Sequence, residues 1–234
     1  MAIIPTVVGK IQVIFGPMFS GKTTELIRRI KRFNFANKKC LLIKYSKDTR
    51  YNDNIDKSFL VTHDKQNYQA FPCSILEDIR EQAEKYDVIG IDEGQFFPDV
   101  VQFSEELANQ GKTVIIAALD GTFQRKPFAS VIDLVSKAEV ITKLTAVCMV
   151  CYNDAAFSKR IVDDDNIELI GGIDKYISVC RGCYHKDTSM KTLKSVRNVH
   201  DKALSGAVVA AHDQFYQDGP QNMAVDDIHL NNDY

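Results

Sequence analysis

Short apolar runs recur along the chain, separated by stretches of mixed character. Residues 11–15 (IQVIF), 40–43 (CLLI), 88–91 (VIGI) and 113–119 (TVIIAAL) are apolar at successive positions. Runs this short predict strands buried on both faces. Between them the spacing changes. Leu26, Ile27, Ile30 and Phe33 fall on one face of a helix over about 23–36. Ser74 predicts a cap for a helix through about Lys85, with Glu77 as its capping-box partner. A helix over 100–109 stops near Gly111, and another covers 128–138. Residues 140–147 predict one more strand. Residues 45–70 are polar and rich in turn formers, which predicts a long exposed loop with one strand at most. Strands that alternate with helices imply a parallel α/β sheet covered on both faces.

After about residue 148 the pattern shortens, and after about 194 it fades. The expected division is therefore an α/β domain over 1–147, a small unit over 148–193 and a tail over 194–234. "SGAVVAAHDQF" predicts a short helix in that tail, and the polar end predicts disorder. There are no internal repeats and no low-complexity tracts.

Composition narrows the function classes. The 234 residues suit one large domain or one domain with an appendage. Hydrophobic residues make up 45% and charged residues 26%, as in soluble globular proteins. The net charge of -2 offers no field to attract nucleic acid or an anionic membrane. No apolar run approaches the roughly 18 residues of a membrane span, and the N-terminus lacks the basic start of a signal peptide. Four of the six cysteines fall in two pairs of two-residue spacing, which favours a reducing, cytoplasmic setting and a metal.

The strongest local motif is "GPMFSGKT": Gly16, Pro17, Met18, Phe19, Ser20, Gly21, Lys22 and Thr23. It follows a predicted strand and opens a predicted helix, the context of a phosphate loop. Glycines let backbone amides wrap phosphate oxygens at a helix N-terminus. Lys22 would reach the bridging and transferred phosphates, and Thr23 would offer a hydroxyl to Mg²⁺. Asp92 and Glu93 end the third strand, where ligands of such sheets bind. Asp92 suits Mg²⁺. Glu93 suits a general base for an alcohol acceptor, or a group orienting water in an ATPase; spacing does not choose between them.

Cys148, Cys151, Cys180 and Cys183 are the donor set of a tetrahedral structural Zn²⁺. The 28 residues between the pairs would form a loop whose ends the metal holds. His185 reads as a bystander beside four cysteines, and His63 as a surface or supporting residue.

Taken together, "GPMFSGKTTEL", "DEGQFF", "LDGTFQRKPF", "CYNDAAFSKR" and "GGIDKY" resemble the cellular and poxvirus-type thymidine kinases over about residues 10–190. The resemblance implies a P-loop NTPase-like sheet with a zinc-held lasso domain and a homotetrameric, cytoplasmic enzyme. It implies transfer of the γ-phosphoryl group of ATP to the 5′-hydroxyl of thymidine, in pyrimidine salvage for DNA synthesis. Glu93 then matches the catalytic base. Asp48, Thr49 and Arg50 match a loop near the phosphates, and Asp92, Gly94 and Gln95 belong to the acidic strand end grouped with ATP and Mg²⁺. Phe96, Leu119, Phe123 and Phe128 match the wall around the nucleoside, and Met18 a residue facing the thymine methyl. Ile167, Glu168, Leu169, Ile170 and Gly171 would run past the base with their backbone groups. Gly171 and Gly172 would permit a turn that side chains forbid, and Tyr176 would close over the nucleoside. Arg160 would add charge near the transferred group or hold the lasso.

This chain departs from the family in three ways. Ser158 stands where many members carry threonine, "YNDNIDKSF" looks longer than usual, and the tail lacks the Lys-Glu-Asn signal of vertebrate members. Two rivals remain. A monophosphate kinase or NTPase would offer arginines for an acceptor phosphate, but only Arg160 and Arg181 lie near the lasso. A zinc-ribbon nucleic-acid binder would need a basic face, yet "VDDDNIE" is acidic.

Overall fold

The computed structural model describes residues 8–48, 59–61, 67–164, 166, 169 and 171–186. By compactness the chain divides into Met1–Asp187 and Thr188–Tyr234. The second unit lies outside the described residues, as do the predicted tail and its short helix.

Strand β1 (Lys10–Phe15) leads into helix α1 (Lys22–Phe35), which returns to β2 (Cys40–Tyr45). A hairpin of β3 (Phe59–Val61) and β4 (Asn67–Gln69) precedes β5 (Phe71–Cys73). Helix α2 (Arg80–Ala83), strand β6 (Val88–Ile91), helix α3 (Val100–Asn109), strand β7 (Thr113–Ala118), helix α4 (Ala129–Val135) and strand β8 (Val140–Lys143) complete the main body. Six strands form a parallel sheet in the order β5-β2-β6-β7-β1-β8.

The strands alternate their side chains between two cores, as a period of two requires. Val13, Ile43, Ile91 and Ile116 meet Phe97, Phe103, Leu107 and Leu134 on one face. Ile14, Leu42 and Ile115 meet Leu26, Ile27 and Ile30 of α1 on the other. Burying each such side chain contributes about 1.5–3 kcal/mol. These two cores hold the carboxyl ends of β6, β7 and β1 in a row, where the site forms.

Three local expectations are corrected. The helix over 74–85 is a 3₁₀ turn at Glu77–Ile79 followed by the four-residue α2. Ser74 does not cap it; its hydroxyl bonds that of Ser46. The Glu77 amide donates to Asp99 at 2.8 Å, and the Glu77 carboxylate pairs with Arg80. A partner far along the chain has replaced the local capping box. The strand over 140–147 ends at Lys143, and residues 146–147 belong to a separate small sheet. The 45–70 stretch carries two strands, not one.

Beyond the break, β9 (Ala146–Val147) pairs with β10 (Asp154–Ala155), and β11 (Phe157–Arg160) pairs with β12 (Tyr176–Val179). Helix α5 (Arg181–Tyr184) follows. The two hairpins are tied where Met149 donates its amide to the Ser178 carbonyl and the Ser178 hydroxyl donates to the Val147 carbonyl. Among the described residues no helix is long and apolar enough to cross a membrane.

Candidate active site

The phosphate loop sits between β1 and α1. A Cβ on Gly16 would lie 2.3 Å from the Leu144 carbonyl oxygen, so the close approach requires glycine. Gly21 begins α1 with φ 81°, a left-handed conformation that glycine adopts without strain. The Pro17 carbonyl accepts from Ser20 Oγ at 2.8 Å and from Lys22 Nζ at 2.7 Å. Lys22 is buried. Thr23 Oγ1 donates to the Asp92 carboxylate, 3.1 Å from each oxygen. This contact clamps the first turn of α1 to the end of β6. A hydroxyl and a buried carboxylate beside a phosphate loop fit a divalent cation of Mg²⁺ type.

Glu93 follows Asp92 in a left-handed conformation, φ 55°, which turns its side chain off the strand direction. Gln95 Nε2 donates to Glu93 Oε2 at 2.6 Å, and Gln95 Oε1 accepts from the Leu119 amide at 2.9 Å. Its amide therefore lies between Glu93 and the end of β7. At Gly94 an added Cβ would lie 2.4 Å from Ile116, so that residue serves close packing on β7.

A cleft opens beside Glu93. Met18, Asp48, Glu93 and Phe96 line one side of it. Leu119, Phe123 and Phe128 line another, and Leu169, Gly171 and Tyr176 come from the zinc-side segment. Phe96 stacks on Tyr45 at 5.2 Å and meets the edge of Phe128 at 6.3 Å. Gly121, Thr122 and Ser158 also line the cleft. Sequence reasoning assigned no role to the first two, although both stand in "LDGTFQRKPF". Thr49, Arg50, His63, Ile167, Glu168 and Ile170 lie outside the described residues.

The zinc-side wall is braced by Arg160. Its guanidinium lies 3.8 Å from the Phe123 ring centre, donates to the Tyr176 hydroxyl at 2.7 Å and to the Asp164 carbonyl at 2.5 Å. The Tyr176 hydroxyl in turn donates to the Leu169 carbonyl at 2.8 Å. Of the two roles expected for Arg160, this geometry is that of a brace on the lasso. The expectation for the glycine pair is corrected at one position. A Cβ on Gly172 would meet nothing nearer than Asp174 Oδ1 at 3.6 Å, so no side chain is forbidden there. The turn is made by the Gly172 carbonyl, which accepts from the amides of Lys175 and Tyr176. At Gly171 the constraint is space, because a Cβ would fall 2.4 Å from Lys175 Cδ.

The sulfurs of Cys148, Cys151, Cys180 and Cys183 lie within 4.8 Å of one another, and none is in a disulfide. Four gathered thiols fit tetrahedral Zn²⁺ with Zn–S bonds of about 2.3 Å. Burial pushes the Cys148 thiol up, but backbone amides of Cys180, Val150 and Cys151 outweigh it and hold it at about 7. The amide of Cys183 lowers Cys180. Burial and the neighbouring sulfurs push Cys183 up to about 12. Cys40 and Cys73 stand apart, pushed up to about 11 and about 12 by burial, as unreactive thiols.

Comparison with known proteins bears on this arrangement. Residues 9–184 match the thymidine kinase family. The chain is 77% identical to thymidine kinase 1 of Dictyostelium discoideum over 236 residues, covering 99% of this chain and 100% of that protein. It is 58% identical to the cytosolic thymidine kinase of Homo sapiens over 181 residues, 77% of this chain and 75% of the relative. It is 57% identical to the thymidine kinase of Variola virus over 176 residues, 75% of this chain and 97% of the viral protein. With a phosphate loop, an acidic strand end and a four-cysteine cluster all inside the matched span, the chain belongs to the thymidine kinase family.

Proposed function

We propose that this protein transfers the γ-phosphoryl group of ATP to the 5′-hydroxyl of thymidine, giving thymidine monophosphate. One observation carries the proposal: Met18 of the phosphate loop and the Glu93 carboxylate border the same aromatic-walled cleft. A phosphoryl donor on the loop and an alcohol in the cleft would then meet at Glu93.

The steps follow from the residues. The amides of residues 16–23 and the Lys22 ammonium bind the triphosphate and stabilise charge on its oxygens. Thr23 and Asp92 would hold Mg²⁺, which neutralises the phosphates. Glu93, oriented by Gln95, accepts the proton of the 5′-hydroxyl as the oxygen attacks the γ-phosphorus in line, while the bond from that phosphorus to the β,γ-bridging oxygen breaks and ADP leaves. Phe96, Phe128 and Leu119 would flank the base, and Tyr176 would cover it and exclude water. The backbone at 167–171 would read the edge of thymine. A Zn²⁺ bound by the four cysteines would anchor both ends of the loop that carries this backbone and so lower the cost of ordering on binding. Asp48, Thr49 and Arg50 would support the phosphate side. A Zn²⁺ bound by the four thiolates would be structural, since they leave no open position. Assembly as a homotetramer and a cytoplasmic location complete the proposal, the latter supported by relatives named cytosolic.

The test is label transfer from γ-labelled ATP with thymidine, deoxycytidine, thymidine monophosphate or water as sole acceptor. Rapid transfer to thymidine is expected. Equal transfer to water or to the monophosphate would replace the proposal with an NTPase or a monophosphate kinase.

A further inference from the structure

Residues 119–128 form a compact loop that walls the cleft. At its base the Leu119 amide donates to Gln95, which also holds Glu93. Within the loop, the Thr122 amide donates to the Lys126 carbonyl at 2.8 Å, and Gly121 bridges Pro127. At its tip the Phe123 carbonyl accepts from the Tyr184 hydroxyl at 2.7 Å. Tyr184 is the residue after Cys183, on the same short helix as that cysteine. Its ring lies under the Arg125 guanidinium at 4.6 Å and against Phe157 at 6.0 Å.

We propose that Tyr184 is a positioning residue through which the cysteine cluster sets the Phe123 wall of the nucleoside cleft. The cluster fixes α5, α5 fixes the Tyr184 ring, and the hydroxyl fixes the loop tip. Phe123 then presents its ring to the cleft and its outer face to Arg160, which ties it to Tyr176. The nucleoside pocket is thus closed from the metal side by two routes, the lasso and this loop. The phosphate loop is joined to β11 by a different bond, from the Met18 amide to the Ser158 hydroxyl. Disturbing Tyr184 should therefore act on the nucleoside and spare ATP. The proposal rests on thymidine being the acceptor.

The experiment is Tyr184→Phe in the zinc-loaded full chain, which removes one oxygen and keeps the ring. Loss of one neutral hydrogen bond predicts about a three- to tenfold rise in Kd and KM for thymidine. The KM for ATP, kcat and zinc content should stay within about twofold of wild type, while amide exchange quickens across 119–128. Arg125→Ala should move thymidine affinity in the same direction. Unchanged thymidine affinity in Tyr184→Phe, an equal rise in KM for ATP, or loss of zinc would each overturn the coupling. Wild-type protein that binds ATP but not thymidine would instead overturn the substrate assignment itself.

Discussion

The Met18 amide donates to the Ser158 hydroxyl at 2.9 Å, joining residues 140 positions apart. One belongs to the phosphate loop and the other to β11, whose partner strand β12 leads into Cys180 of the four-cysteine cluster. Both line the cleft. The bond is buried, so it is the direct mechanical link between the two halves of the site. Ser158→Ala leaves a buried amide without its partner, at a cost of about 1–3 kcal/mol. A lower Tm and a raised KM for both thymidine and ATP are expected, with Ser158→Thr close to wild type. A thymidine-only effect in the alanine variant would show that the bond does not serve the loop.

Glu93→Gln keeps the size of the side chain and removes the base. Thymidine Kd, by calorimetry, should change little. The kcat should fall by about 10²–10⁴-fold, the usual worth of a positioned base. Turnover within a few-fold of wild type would remove Glu93 from the chemistry.

Thr23 and Asp92 meet at the point where a divalent cation is expected. Thr23→Ala should raise the Mg²⁺ concentration needed for half-maximal activity by roughly tenfold, equivalent to about 1.4 kcal/mol. Thymidine affinity measured without ATP should not move. An unchanged Mg²⁺ titration would exclude the hydroxyl as a ligand.

Removing Zn²⁺ by chelation, or changing Cys148 to serine, should lower the Tm, since metal binding is coupled to folding. Thymidine affinity should fall by a larger factor than ATP affinity, because the cluster braces the nucleoside side directly and meets the phosphate loop through the Met18–Ser158 bond. Metal-free protein with full thymidine affinity would argue that the hairpins hold themselves.

Glu25, on the first turn of α1, accepts from Arg28 and Arg29, and its carboxyl is held down at about 2 by those guanidinium groups, Arg28 foremost. Its folded value lies below the ordinary 4.5. The stability it contributes is therefore complete above about 4.5 and is lost as pH falls through about 2. In thermal melts Glu25→Gln should be less stable than wild type at neutral pH, with the gap closing toward pH 2. A gap that stays constant across that window would mean the ion pairs contribute nothing.

The sheet was legible because its signals are local. Val13, Ile14, Ile115 and Ile116 sit in unbroken apolar runs, and α1 shows its face in Leu26, Ile27 and Ile30. The phosphate loop was legible because a fixed backbone shape dictates glycine at 16 and 21. The capping at Glu77 failed because Asp99, 22 residues on, supplies the acceptor, and no local pattern reports that. Gln95 was grouped with the nucleotide because it stands in the motif, yet its amide spans Glu93 and Leu119. Tyr184 offered no signal at all: an aromatic residue beside a metal ligand reads as packing until its hydroxyl partner is known.

Glu93 has a further consequence. A non-glycine residue at φ 55° is held there at a cost of order 1 kcal/mol. Glycine or asparagine at position 93 would relieve it. A chain selected only for thermal endurance would drift to one of those residues and would lose the Glu93 carboxylate from the cleft. Consensus-style stabilisation of this fold would thus remove its activity first at the residue where the backbone is least at ease.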